Sequence, residues 1–186
     1  MTDDRQEIHE DGRENREDRR EIHELDAAQH ETVTRQLGNM VHAAAFGEIV
    51  SILMNSPIHA EARLKDLARF VSPAIATRQY LLSKIAQKGR PDAALPVGVA
   101  LWASVSDPTD ERLRAAADRP VELALEEWSG GDRLWLVDLV CPAPMREAML
   151  ASLAERVAKG RPMSAKLQSA DGAFTLTDLE TLRASA

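Results

Sequence analysis

The apolar positions change period along this chain. From Leu37 to Met54, Val41, Ala44, Ala45, Ile49, Ile52 and Leu53 recur at three-to-four spacing, which predicts an amphipathic helix. Asn55-Ser56-Pro57 ends it. Ser56 then reads as the cap of a new helix with Pro57 at its first position, where a missing N–H is no loss. His59 falls in the first turn of that helix, whose partial positive charge disfavours imidazolium and lowers the His pKa. Helical spacing continues over Leu64 to Ile75. Strand patterns follow over Gln79–Ala86 and Leu95–Ser106, joined by turn chemistry at Gln87-Lys-Gly-Arg-Pro-Asp92, so an antiparallel hairpin is expected. Gly98 inside the second strand marks a bulge, or a close approach by another backbone or a ligand.

The second half alternates between the same two periods. Asp107, read as a cap, and Pro108 open a short helix to about Ala117. Pro120 to Glu127 is a connecting strand or irregular segment. The strongest single signal is Trp128-Ser-Gly-Gly-Asp-Arg-Leu-Trp-Leu-Val-Asp-Leu-Val-Cys-Pro142. A glycine-rich turn feeds a strand with Leu, Trp and Val on both faces, so burial on both sides is expected. A helix is predicted over about Met145–Ala158, closed by Lys159-Gly160-Arg161-Pro162 with Gly past the end and Pro beyond. A hairpin of Met163–Gln168 and Ala173–Leu176 and a short terminal helix or tail complete the chain. Helices first, then an antiparallel meander with inserted helices, make an α+β layout: one sheet with helices packed on it.

Composition narrows this picture. The 186 residues are expected to form one domain, over residues 35–186, with an N-terminal extension over 1–34. The formal charge of −7 is concentrated in that extension: through Glu31 twelve acidic residues face five arginines, while the remainder holds eighteen of each sign. An electrically mixed remainder argues against a nucleic-acid protein. The extension is too polar to offset its ordering entropy and reads as disordered or as a solvated helix. Its repeated Glu-Ile-His-Glu, at Glu7 and again at Glu21, makes a poor coiled-coil seam. Its histidines, His9, His23 and His30, lack ligand spacing, so no metal site is expected. No apolar run approaches the roughly 20 residues that span a bilayer and no signal peptide is evident, so a cytoplasmic protein is expected. The lone Cys141 allows no internal disulfide and reads as a small core residue.

Candidate chemistry begins with Asp138, which interrupts the most apolar strand. An unpaired carboxylate there would cost several kcal/mol, so it has a partner or titrates abnormally. His59, as a neutral imidazole, could accept a proton. Arg133 beside Asp132 reads as a turn salt bridge, and Trp102, Trp128 and Trp135 as core or pocket walls.

Five blocks in register carry a resemblance: Asn55-Ser-Pro-Ile-His59, Ser72-Pro-Ala-Ile75, Gln79-Tyr80, Trp102-Ala-Ser-Val-Ser106, and Trp128 through Asp138. Together they resemble the RTX toxin-activating lysine acyltransferases of the hemolysin-activating type. The resemblance implies a fold similar to the GCN5-related acetyltransferases. It implies transfer of a fatty acyl group from acyl carrier protein to internal lysines of an RTX protoxin in the cytoplasm, often by a homodimer. Its catalytic pair falls on His59 and Asp138, and its supporting serine on Ser56. No bound cofactor is implied beyond the acyl donor.

The chemistry fits those roles. Deprotonating a lysine at pH 7 costs about 4–5 kcal/mol. A neutral His59 can take that proton, and a buried Asp138 can orient the imidazole and stabilise its charged form. Alternatively, His59 is itself acylated and Asp138 activates the lysine; Ser56 either caps a helix or joins the chemistry. The chain departs from the family in its acidic extension, in Pro142-Ala-Pro-Met where Phe-Gly is usual, and in a short segment after Met145. Lys159, Arg161 and Lys166 are, by charge alone, candidates for gripping an acidic carrier protein. The lack of a Gln/Arg-x-x-Gly-x-Gly loop favours a carrier protein over free coenzyme A. Two other readings compete: a non-catalytic module of the same fold that holds a carrier protein or an export substrate, and an acyltransferase with a different amine acceptor.

Overall fold

The structure, a computed structural model, describes residues 31–87, 89–169 and 171–186. The repeated Glu-Ile-His-Glu, with His9, His23 and His30, lies outside the described residues. The chain divides into two compact units, Met1–Ala43 and Ala44–Ala186. In the first, residues 31–43 are helical and exposed. The second contains everything that follows.

Five strands build one sheet in the order β1-β2-β3-β4-β5. They are β1 (Tyr80–Gln87), β2 (Arg90–Val105), β3 (Arg133–Val140), β4 (Met163–Gln168) and β5 (Phe174–Asp178). All neighbours are antiparallel except β3 and β4, which run parallel over Leu134–Leu136 against Met163–Ala165. This is the expected α+β architecture, a mixed and mostly antiparallel sheet flanked by helices. The parallel pair requires a crossover, which α4 (Ala143–Leu153) and a wider π turn (Ala154–Ala158) provide. Lys159 in the left-handed region and Gly160 at φ +80° then reverse the chain into β4.

Each face of the sheet has its own core. On one face, α1 (Glu31–Met54) contributes Ala45, Ile49, Ile52 and Leu53, and α2 (Leu64–Ala76) contributes Leu67, Val71, Ala74 and Ile75. These pack on Val99, Leu101, Ala103, Val105 and Trp135. On the other face, α4 and α5 (Leu179–Ala184) cover Ala100, Leu134, Leu136 and Ala165. Leu134, Trp135 and Leu136 are almost wholly buried, as the two-sided apolar pattern predicts.

Several local expectations need correction. The helix expected from Ser56 does not form: residues 57–61 make a turn, and α2 starts only at Leu64. The backbone of this turn bonds back to Ser56, with His59 N and Ala60 N both donating to its carbonyl at 3.0 and 2.9 Å. α3 (Asp107–Ala115) has Ser106, not Asp107, at its cap position. Arg133 pairs with Asp107, Nε to Oδ1 2.6 Å, and not with its neighbour Asp132. Lys166 cannot grip a partner. It is 1% exposed, and its Nζ donates to the carbonyls of Leu113 (2.6 Å) and Ala116 (2.8 Å) at the end of α3. Finally, α1 is long and apolar enough by length and composition to cross a bilayer, contrary to the sequence expectation. Leu37 to Met54 holds one charged residue, Glu48. The later turns of α1 are apolar because they belong to the core.

Candidate active site

The position of Asp138 follows from an irregularity in β3. Across the β2–β3 ladder Leu101 faces Asp138 while its neighbour Trp102 faces Leu136, so β3 carries one extra residue, Val137. Strict alternation would place Asp138 with Leu136. Instead Leu136 and Leu139 pack into the core under α4, and Val137 and Val140 into the core under α1 and α2. Val137 and Asp138 thus share one face, as the two residues of a bulge do. The bulge delivers the carboxylate to the side of the sheet where the turn after α1 lies.

That turn supplies His59. Its Nε2 is 3.0 Å from Asp138 Oδ2, with the two side chains 14% and 16% exposed. The Asp138 backbone also turns its carboxylate onto the next peptide: Leu139 N–H donates to Oδ1 at 2.8 Å. The buried carboxylate therefore has two partners, as its apolar setting demands. On the opposite side of the ring, Ser56 Oγ is 3.1 Å from His59 Nδ1. Phe70 of α2 walls the imidazole, with ring centroids 6.0 Å apart and planes at 44°.

These contacts assign the tautomer. An ionised carboxylate only accepts, so Nε2 carries the hydrogen that it donates to Asp138. In neutral His59 the lone pair is then on Nδ1, where the Ser56 hydroxyl donates to it. Ser56, His59 and Asp138 form a hydroxyl–imidazole–carboxylate line, the order of groups seen in hydrolytic triads. Ser56 therefore does not cap a helix; the three-residue spacing that suggested a cap instead folds its hydroxyl onto the ring.

The expected direction of the His59 pKa is reversed. Burial, the largest single influence, lowers it, but the hydrogen bond and negative charge of Asp138 together outweigh burial, and the ring titrates above the usual imidazole value. A helix start does not contribute, because no helix begins there.

Glycine chemistry brings β3 into place. A Cβ on Gly131 would lie 2.5 Å from Val105 O and 2.6 Å from Ser106 Cα, so no other residue lets the chain cross the end of β2 so closely. Its N–H donates to Ser104 O at 3.0 Å. Gly98 marks both features expected of it. The β1–β2 register slips next to it, and a Cβ there would lie 2.9 Å from Cys141 Cβ. Cys141 is half-buried and burial raises its thiol pKa, with the charge of Arg146 acting against this. A raised pKa keeps it a thiol and not a nucleophile.

A cleft of about 750 Å³ opens beside the triad, and Ser56 forms part of its wall. The two residues onto which the catalytic pair implied by the resemblance falls thus meet, and Ser56 joins them. The bulge at Val137, the Phe70 wall and the cleft could not be anticipated from spacing. Among the described residues no group of three His, Cys, Asp or Glu side chains could hold a metal ion.

The model of the RTX toxin acyltransferase family matches residues 39–176. The leukotoxin-activating lysine-acyltransferase of Mannheimia haemolytica serotype A11 is 36% identical over 104 residues, 56% of each chain. That of a Pasteurella haemolytica-like strain is 33% identical over 109 residues, 59% of this chain and 60% of its own. A protein-lysine palmitoyltransferase of Bordetella bronchiseptica is 32% identical over 115 residues, 61% of this chain and 57% of its own. The matched part of the chain thus spans little more than half the length of these relatives.

Proposed function

The chain belongs to the RTX toxin acyltransferase family, and from that membership we propose that it transfers a fatty acyl group from acyl carrier protein to lysine side chains of an RTX protoxin in the cytoplasm. The observation that carries this reading is the line of Ser56, His59 and Asp138 beside an open cleft. A non-catalytic holder of carrier proteins would have no use for a buried imidazole with a carboxylate on one nitrogen and a hydroxyl on the other.

The reaction needs a neutral lysine amine against a thioester. The amine nitrogen attacks the carbonyl carbon, the C–S bond breaks, and a proton must leave the nitrogen and reach the departing sulfur. His59 Nδ1 is the available base, because Nε2 is already committed to Asp138. Proton uptake makes imidazolium, which the Asp138 carboxylate stabilises; the pair then returns the proton to the thiolate. The raised His59 pKa makes the base stronger. Ser56, hydrogen-bonded to Nδ1, holds the ring in place and yields when the amine arrives.

The alternative in which His59 carries the acyl group would also use Nδ1, so intermediates must be trapped to separate the routes. The deciding experiment is intact-mass analysis of an RTX protoxin co-expressed with this chain and with acyl carrier protein. Wild type should add acyl mass to the protoxin, and His59→Ala should add none. Acyl mass that persists with His59→Ala would remove His59 from the mechanism. Absence of acyl mass with wild type would reject the proposed transfer.

A further inference from the structure

Both nitrogens of the His59 ring are engaged before any substrate arrives. Nε2 is 3.0 Å from Asp138 Oδ2, and Nδ1 is 3.1 Å from Ser56 Oγ. Phe70 stands over the ring, so that one face is closed as well. The nitrogen that must act as base is therefore capped by the protein's own hydroxyl. Ser56 is held firmly in that place. It is 6% exposed. Its N–H donates to Leu53 O at 3.0 Å, and its carbonyl accepts from His59 N–H and Ala60 N–H at 3.0 and 2.9 Å. With the backbone pinned on both sides, only rotation of the side chain takes the hydroxyl off the ring. A hydroxyl displaced in so buried a position has to find another partner.

The reaction has a competitor that such a cap would hold off. The pair is not sealed from solvent, since the His59 and Asp138 side chains are 14% and 16% exposed. A lysine with a pKa of about 10.4 is neutral in only about one molecule in 2,500 at pH 7. Water is neutral always and is present everywhere. An open lone pair beside a thioester can take a proton from water as it can from an amine. The water oxygen then attacks the carbonyl carbon, the C–S bond breaks, and His59 passes the proton to the departing sulfur. A free fatty acid and a thiol result, and the donor is lost without any lysine being acylated.

We propose that Ser56 is a guard against hydrolysis: its hydroxyl masks the basic nitrogen of His59 until an acceptor lysine displaces it, so that the acyl thioester is transferred and not hydrolysed. The proposal rests on the acyltransferase reading above and names what gives the site its preference for an amine over water. A protein acceptor brings binding energy from contacts remote from its lysine, and that energy can lift the hydroxyl off the ring. A water molecule brings none. Loss of the guard therefore moves two reactions in opposite directions, which loss of a merely structural residue does not.

The test measures both reactions on one preparation of the full-length protein. The donor is acyl carrier protein loaded with a hexadecanoyl thioester. Thiol release without protoxin reads hydrolysis, and acyl mass gained by an RTX protoxin in a single turnover reads transfer. Wild type should hydrolyse the donor at close to the rate of His59→Ala. Ser56→Ala should hydrolyse it at least about tenfold faster than wild type, while its transfer rate falls about tenfold. The ratio of the two rates does not depend on the fraction of folded protein, so a loss of stability cannot mimic the effect. Adding His59→Ala to Ser56→Ala should return hydrolysis to background, because the unmasked nitrogen is then gone. Ser56→Thr, which keeps a hydroxyl at this position, should stay near the wild-type ratio. Hydrolysis that falls together with transfer in Ser56→Ala, or that stays at the wild-type level, would overturn the proposal. So would a wild type that hydrolyses the donor as fast as it transfers it, or fast hydrolysis in Ser56→Ala that survives the second substitution. Absence of acyl mass with wild type would reject the transfer reading; the hydrolysis rates need no protoxin and still decide whether Ser56 masks the base.

Discussion

The two halves of β3 are built to different ends. Leu134–Leu136 is regular, paired with β2 on one side and with β4 on the other, and buried on both faces. Val137–Val140 carries the bulge, pairs only with β2, and ends at an open cleft. Each half also carries charge nearby, and the two charge systems differ. Around Trp135, Asp110 accepts from the indole Nε1 at 2.7 Å and pairs with Arg114, while Arg114 also donates to Ser164. Burial raises the Asp110 pKa, but its bonds to Arg114 and Trp135 lower it further, so the net direction is down. Lys166 lies over the same indole at 5.6 Å, with its Nζ on two carbonyls. That network ties α3 to the sheet and opens onto no reactive imidazole. At the other end the His59–Asp138 pair is partly exposed, and the carboxylate holds the His59 ring above the usual imidazole value. A fully satisfied network fixes the scaffold; a carboxylate with one titratable partner beside a cleft is equipped to move a proton.

The sharpest way to break this contrast is to remove chemistry without structure. His59→Ala should lower the acylation rate by about 10³-fold or more, as loss of a positioned base does. Its melting temperature should stay close to wild type at pH 8. Asp138→Asn should lose a similar amount, because the wrong tautomer is then favoured. A rate loss matched by a collapse of the fold would place His59 with the structural network instead. The converse experiment is Lys166→Ala. It strands two carbonyls and opens a void, for a loss of about 2–4 kcal/mol in stability, while the rate per folded molecule stays at the wild-type level. Denaturant unfolding and single-turnover acylation read the two quantities separately.

Smaller effects sharpen the comparison. The acylation rate should rise with pH through the His59 pKa, which lies above the usual value of about 6.5. In Asp138→Asn the raising influences are gone and burial remains, so whatever limb survives should move to lower pH. A pH profile of single-turnover rates in both proteins checks the sign. Linkage gives a matching stability statement. A raised folded pKa means that the stabilisation from charged His59 is complete below the unfolded value, near 6.5, and is lost as pH rises through the folded value. Wild type should therefore exceed His59→Ala in stability at pH 5.5 by more than at pH 8.5. The smallest expected effect is from Ser56→Ala: about a tenfold lower rate if the hydroxyl only holds the ring, with the pH limb retained. A loss as deep as that of His59→Ala would promote Ser56 to direct chemistry.

Much of this architecture is legible in the chain, and the failures have physical causes. Alternation across Arg133–Val140 predicts a two-sided core strand, and the glycines before it predict the tight entry. The resemblance picks out His59 and Asp138, which do meet. Period-two counting cannot reveal the slip at Val137, because one extra residue looks identical to an unbroken run of apolar side chains. Ser56 followed by Pro57 satisfies helix-start chemistry equally well in a single turn, so the sequence does not distinguish the turn over 57–61 from a helix. The direction of the His59 shift is likewise hidden from local sequence, because it is set by Asp138, 79 positions away. Lys166 reads in sequence as a surface cation because lysine usually is one; only the arrival of the α3 carbonyls gives its ammonium a buried home. Parallel pairing of β3 with β4 carries no local mark, since it is decided by the crossover and not by either strand.

The short parallel contact has a consequence for synthesis. Until Met163–Ala165 has left the ribosome, one backbone edge of Leu134–Leu136 has no ladder partner, in a segment apolar on both faces. A nascent or truncated chain that stops in α4 would present that bare edge to any other extended chain. Fragments ending before residue 163 should therefore accumulate as insoluble material or on chaperones, although every residue of the His59–Asp138 pair has already been made.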